Sequence, residues 1–125
     1  MQSSTFTPKT LRHTIAAPTP AHPRLLAFDV GGEPRLFELR AELVRIGRGH
    51  AADVCLDDGT VSRRHALLLT RPDGRVAVID EHSAAGTYVN GRRVDRQVLS
   101  HGDVLRIGRT QVVFIDTAHS ERSTP

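Results

Sequence analysis

Apolar positions along this chain fall in short packets, "RLLAFDV", "RLFEL", "LVRIG", "DVCL", "HALLLT", "RVAVID", "TYV", "VLRIG" and "QVVFID". None carries the 3.6-residue periodicity over the length that a helix needs, so each predicts a strand. Turn chemistry separates the packets at Gly31-Gly32, Asp73-Gly74 and Asn90-Gly91. Such pairs favour positive backbone angles and predict two-residue hairpins. Leu67, Leu68 and Leu69 are apolar in succession, which suits a strand in the middle of a sheet. Many short strands at this spacing predict an all-β fold, an antiparallel sandwich or barrel.

The pattern stops at both ends. Residues 1–23 hold four of the seven prolines and many Thr and Ser, with no periodic apolar face; they read as a flexible tail. Residues 117–125, "TAHSERSTP", read the same way, leaving 24–116 as one folded unit. Aromatic residues make up only 4% of the chain, so the core is expected to be Val, Leu, Ile and Ala. The single cysteine, Cys55, excludes an internal disulfide and is expected to be a small buried apolar residue between Val54 and Leu56. No apolar run reaches the roughly 18 residues of a membrane helix, nor does the N-terminus resemble a secretory leader, so a cytoplasmic location away from membranes is expected. The net charge of +3 raises the question of nucleic acid. Between Arg24 and Asp116, however, 14 arginines face 13 acidic residues. A near-neutral folded part with few aromatics argues against a nucleic-acid partner.

Function in such a scaffold lives in loops, and four of them carry charge and glycine: "GRGHAAD", "LDDGTVSRRH", "DEHSAAGT" and "NGRRVD". Ser62 and His65 offer a hydroxyl and a base, with Asp80 or Asp103 as the orienting acid. No G-x-S-x-G elbow surrounds the serine, and a strand entered at His65 would turn the ring away from Ser62. The alternative is a histidine that braces its loop. Seven histidines, at positions 13, 22, 50, 65, 82, 101 and 119, are scattered without zinc-ligand spacing, and no cofactor or metal is expected. Anion binding suits the residues better. A phosphate takes guanidinium forks and short hydroxyl or amide donors, and Arg48 between Gly47 and Gly49, with Ser62, Arg63 and Arg64 on the next loop, supplies them. These arginines could equally do no more than solvate loop ends.

The motifs G-R, S-R-x-H, S-x-x-G-T-x-V-N-G and L-x-x-G-D-x-x-x-I-G follow one another from Gly47 to Gly108. In this order and spacing the chain resembles a forkhead-associated (FHA) domain over residues 24–116. The resemblance implies a β-sandwich of about eleven strands and no enzyme activity. It implies a module that binds phosphothreonine peptides in phosphorylation-dependent signalling, its partner a Ser/Thr kinase or a kinase substrate. By position, Arg48, Ser62 and Arg63 would meet the phosphate, Ala84 and Ala85 the peptide beside it, and Arg64 would be auxiliary. Gly47, His65, Gly86 and Thr87 would hold the loops in shape. The chain departs from the family at Ala85, where the usual asparagine binds the peptide backbone. Three accounts follow: weaker binding through the phosphate contacts alone, a substitute contact from His82, Ser83 or Asn90, or a phosphate-independent interaction module. Asn90 also reads as a plain hairpin-turn residue. Thr5, Thr7, Thr10 and Thr14 are candidate phosphosites through which the N-terminal tail could reach the pocket.

Overall fold

Gly31 and Gly32 both take positive φ, 59° and 86°, as a two-residue hairpin requires and as glycine does without steric cost. They join β1 (Arg24–Val30) to β2 (Glu33–Glu38). The computed structural model describes residues 22–118, and the strands that follow in them are β3 (Leu43–Gly47), β4 (Val54–Cys55), β5 (Ala66–Thr70), β6 (Val76–Asp80), β7 (Thr87–Val89), β8 (Arg92–Val94), β9 (Arg96–Val98), β10 (Val104–Ile107) and β11 (Thr110–Asp116). The segments read as tails lie outside the described residues apart from His22, Pro23, Thr117 and Ala118.

Asn90 and Gly91, at φ 51° and 83°, make a second two-residue turn between β7 and β8. Asp73-Gly74 does not make a third. The Arg71 amide donates to the Arg75 carbonyl at 2.7 Å, so the loop holds Pro72, Asp73 and Gly74. Pro72 presets the angle of the turn and Gly74 alone takes positive φ, the geometry of a longer hairpin loop.

Two sheets result, ordered β9-β6-β5-β3-β4 and β2-β1-β11-β10-β7-β8. Every pairing is antiparallel except β3 with β4, which is parallel. Alternation decides what enters the space between the sheets. Val44, Ile46, Leu68, Val76 and Val78 enter from one side, and Leu26, Val89, Leu105, Ile107, Val112 and Phe114 from the other. Each such side chain contributes about 1.5–3 kcal/mol by leaving water. With so few aromatics, β-branched and Leu side chains fill the core. β5 is the middle strand of its sheet; Leu68 is in the core, while Leu67 and Leu69 are half-buried on the outer face.

The same alternation corrects the expectation for Cys55. Val54 and Leu56 are buried, so the residue between them faces outward, and Cys55 is exposed on an edge strand. Its thiol lies 3.3 Å from the Arg48 carbonyl, as donor. Pairing of Ile46 with Ala66, Ala66 with Asp80, and Ile107 with both Thr87 and Thr110 gathers the connections after β3, before β5, after β6 and after β10 at one end of the sandwich.

Candidate functional site

The loop end is built on a close backbone crossing. A Cβ at Gly47 would lie 1.9 Å from the Arg63 carbonyl oxygen, so only glycine lets the segment Val61–His65 pass over the end of β3. That crossing is fixed by the Arg48 amide donating to the Ser62 carbonyl and the His65 amide to the Ile46 carbonyl, each at 3.0 Å. Arg48 is held a second time, its Nε donating to the Val61 carbonyl at 2.9 Å. Among the described residues, the two terminal nitrogens of this exposed guanidinium have no partner.

Ser62 joins this loop to the next. Its Oγ accepts from the Ala84 amide at 3.0 Å, which leaves the hydroxyl proton available to a ligand. His65, 0% exposed, makes the other link. Its Nδ1 accepts from the Ser62 amide at 3.1 Å, so Nε2 carries the proton and donates to the Gly86 carbonyl at 2.9 Å. Both ring nitrogens are engaged with backbone, so the imidazole is not a base for Ser62. Asp80 is bonded to Ser83 and Thr87, and Asp103 to Asn90 and the Ser100 amide. The nucleophile arrangement is therefore not assembled.

The loop before β7 is shaped from beneath. The Ser83 hydroxyl donates to Asp80 and accepts from the Gly86 amide at 3.0 Å, and the Thr87 hydroxyl donates to Asp80 at 2.7 Å. Burial raises the Asp80 carboxyl pKa, but these hydroxyl bonds and the Ser83 amide outweigh it and hold it below the usual value. Ser83 is only 7% exposed, so it stands with the loop-shaping residues Gly47, His65, Gly86 and Thr87 and not with groups facing a ligand. His82 (φ 56°), Ala84 and Ala85 are exposed. Arg63 and Arg64 are exposed beside the crossing. Asn90 is placed elsewhere. It lies in the turn after β7, at the opposite end of the sheet, with its amide bonded to Asp103 and the Val104 amide. It cannot replace the side chain that Ala85 lacks.

A further support was not singled out in the sequence. Asp58 accepts from the Thr60 hydroxyl at 2.7 Å, the Thr60 amide at 2.9 Å and the Thr110 hydroxyl at 2.8 Å. The Thr60 hydroxyl in turn accepts from the Arg109 amide at 2.8 Å. These bonds, the Thr60 hydroxyl first, lower the Asp58 pKa from 3.8 to about 2. The signal was the run "DGT": a carboxylate two residues before a hydroxyl makes a local turn. Among the described residues, no three His, Cys, Asp or Glu side chains come together as a metal site would need.

The loops thus present the anchored Arg48 and the Ser62 hydroxyl, joined by backbone bonds at the end of a two-sheet sandwich, with Arg63 and Arg64 exposed beside them. The family model described as FHA domain matches residues 44–108, which span all of these loops. The chain belongs to the FHA domain family. An FHA domain solved in a study of phosphothreonine-dependent FHA interactions is 33% identical, with a TM-score of 0.68 over 74% of this chain and 95% of that one. The oxoglutarate dehydrogenase inhibitor of Corynebacterium diphtheriae is 49% identical over 64% of this chain. The glycogen accumulation regulator GarA of Mycolicibacterium smegmatis is 44% identical over 70% of it. This FHA protein spans 55% and 54% of the length of those two relatives.

Proposed function

We propose that this FHA domain binds phosphothreonine in a partner protein and so makes a regulatory interaction depend on phosphorylation. The observation that carries the reading is the pairing of Arg48 with Ser62. The guanidinium is anchored through Nε while its terminal nitrogens remain available, and the adjacent hydroxyl keeps its proton. A dianionic phosphate takes this combination of fork and short donor. Arg63 stands beside them, and Arg64 adds positive charge. The solved FHA domain with phosphothreonine-dependent interactions supports the reading, as do relatives named as a regulator and an inhibitor. The partner is then a Ser/Thr kinase or one of its substrates, and the protein acts by binding and not by catalysis. With alanine at position 85, the phosphate contacts bear most of the affinity.

The test is calorimetry of the full chain with phosphothreonine, phosphoserine and unmodified versions of one peptide. The phosphothreonine form should bind, and Arg48→Ala should remove that binding, because breaking a desolvated charge pair costs about 2–5 kcal/mol. Equal affinity of Arg48→Ala and wild type, or equal binding of unmodified peptide, would leave a phosphate-independent interaction domain as the better account.

A further inference from the structure

Strand alternation places a further cation at the edge of this site. Thr87 and Val89 of β7 are buried and Tyr88 faces outward. Gly86, two residues before Tyr88, is buried with φ 88°. Arg93 of β8 is paired with Tyr88 and therefore projects from the same face. Its guanidinium reaches back to the loop: a Cβ on Gly86 would lie 2.9 Å from Arg93 Nε, 3.1 Å from Cζ and 3.4 Å from Nη2. A planar cation thus lies against the residue that follows Ala85. Arg93 is exposed, and among the described residues it has no hydrogen bond or ion pair. Ala84 and Ala85, also exposed, bring no side-chain polar group to this stretch. Arg106 lies on the other side of Tyr88, 4.0 Å from the centre of its ring, and among the described residues neither Arg93 nor Arg106 forms an ion pair, although the exposed Asp95 stands two residues along from Arg93.

We propose that Arg93 is a specificity-determining residue of the site, selecting ligands with an acidic side chain flanking the phosphothreonine. The inference rests on the phosphothreonine reading of the loop end and adds which sequences that site prefers. A guanidinium without a partner gains from a carboxylate brought to it. In a solvated position the gain is modest and salt-sensitive.

The test uses the full chain and phosphothreonine peptides that carry Glu or Ala at each flanking position in turn. At one position or more, Glu should bind wild type about three- to fivefold more tightly than Ala. That preference should vanish in Arg93→Ala and Arg93→Gln, persist in part in Arg93→Lys, and shrink in high salt. A residue that merely packs on Gly86 would change affinity for both peptide series alike, so the Glu-to-Ala ratio separates selection from structure. No preference in wild type, or an undiminished preference in Arg93→Ala with phosphate dependence intact, overturns the role of Arg93 alone. Binding that ignores the phosphate overturns the underlying reading instead.

Discussion

Alanine at positions 84 and 85 leaves the exposed part of this loop with methyl groups and no side-chain donor or acceptor. The loop itself is not in disarray, because Ser83, Gly86 and Thr87 are held by Asp80 and by His65. An amide side chain introduced at position 85 should therefore enter a loop that is already shaped. Ala85→Asn is expected to tighten phosphothreonine-peptide binding by about tenfold, the worth of one or two hydrogen bonds to the peptide backbone. Isothermal titration of both proteins with one peptide checks this. No gain in wild type together with a gain in the Arg93→Ala background would mean that Arg93 already occupies the space. At this scale the grouping of the candidate residues was legible: Gly47, Arg48, Ser62 and His65 come together in the structure, as the chemistry of glycine, cation and hydroxyl in neighbouring loops had suggested. The hairpin turn at Asn90 was legible too, and the structure bears out that reading rather than a contact beside Ala85.

The connection between β4 and β5 carries Ser62, and it is fixed at its base by Asp58. Because the Asp58 carboxyl titrates near 2 when folded and near 3.8 as a free side chain, its contribution to stability has a definite sign. It is complete above about pH 4 and is lost as pH falls through about 2, where the folded state must also take up the proton. Asp80, also lowered, adds to the trend. Urea midpoints should fall between pH 4 and pH 2, and Asp58→Asn should be less stable than wild type at neutral pH yet lose less on acidification. Identical pH slopes for the two proteins would show that these bonds do not stabilise the fold. The run "DGT" carried a local signal for the Asp58–Thr60 turn, but Thr60 meets Arg109 and Asp58 meets Thr110 across the two sheets, contacts that no local pattern encodes. Strand existence was easier to read, since period-two alternation is local. The same alternation also puts Cys55 on the exposed side, against the average preference of cysteine for burial.

Across the whole molecule, the chain enters β1 at the end opposite the candidate-site loops, since Arg24 pairs with Asp116 while Thr110, at the other end of β11, bonds to Asp58. A seven-residue strand covers roughly 23 Å, and an extended chain at most about 3.5 Å per residue. The candidate phosphosites lie outside the described residues, yet their separations from Pro23 set a limit on reach. The nine residues from Thr14 to Pro23 reach at most roughly 30 Å, a small margin over the roughly 23 Å of β11, whereas Thr5, Thr7 and Thr10 have more. Docking of the N-terminal segment in its own pocket, proposed as a regulatory mode, should therefore favour Thr10 over Thr14. Protein phosphorylated only at Thr10 should bind an external phosphopeptide more weakly than protein phosphorylated only at Thr14, and undiminished binding by the Thr10 form would exclude self-docking. By itself the sequence determined the strands, most of their turns, the membership of the family and the chemistry of Arg48 and Ser62, because alternation, glycine angles and side-chain type act over a few residues. Tertiary structure decided what depends on residues far apart in the chain. It set the crossing of Arg63 over Gly47, the removal of Asn90 to the other end, the bracing by Asp58, and the placement of Arg93 beside Ala85, because sheet register alone determines which distant side chains share a face.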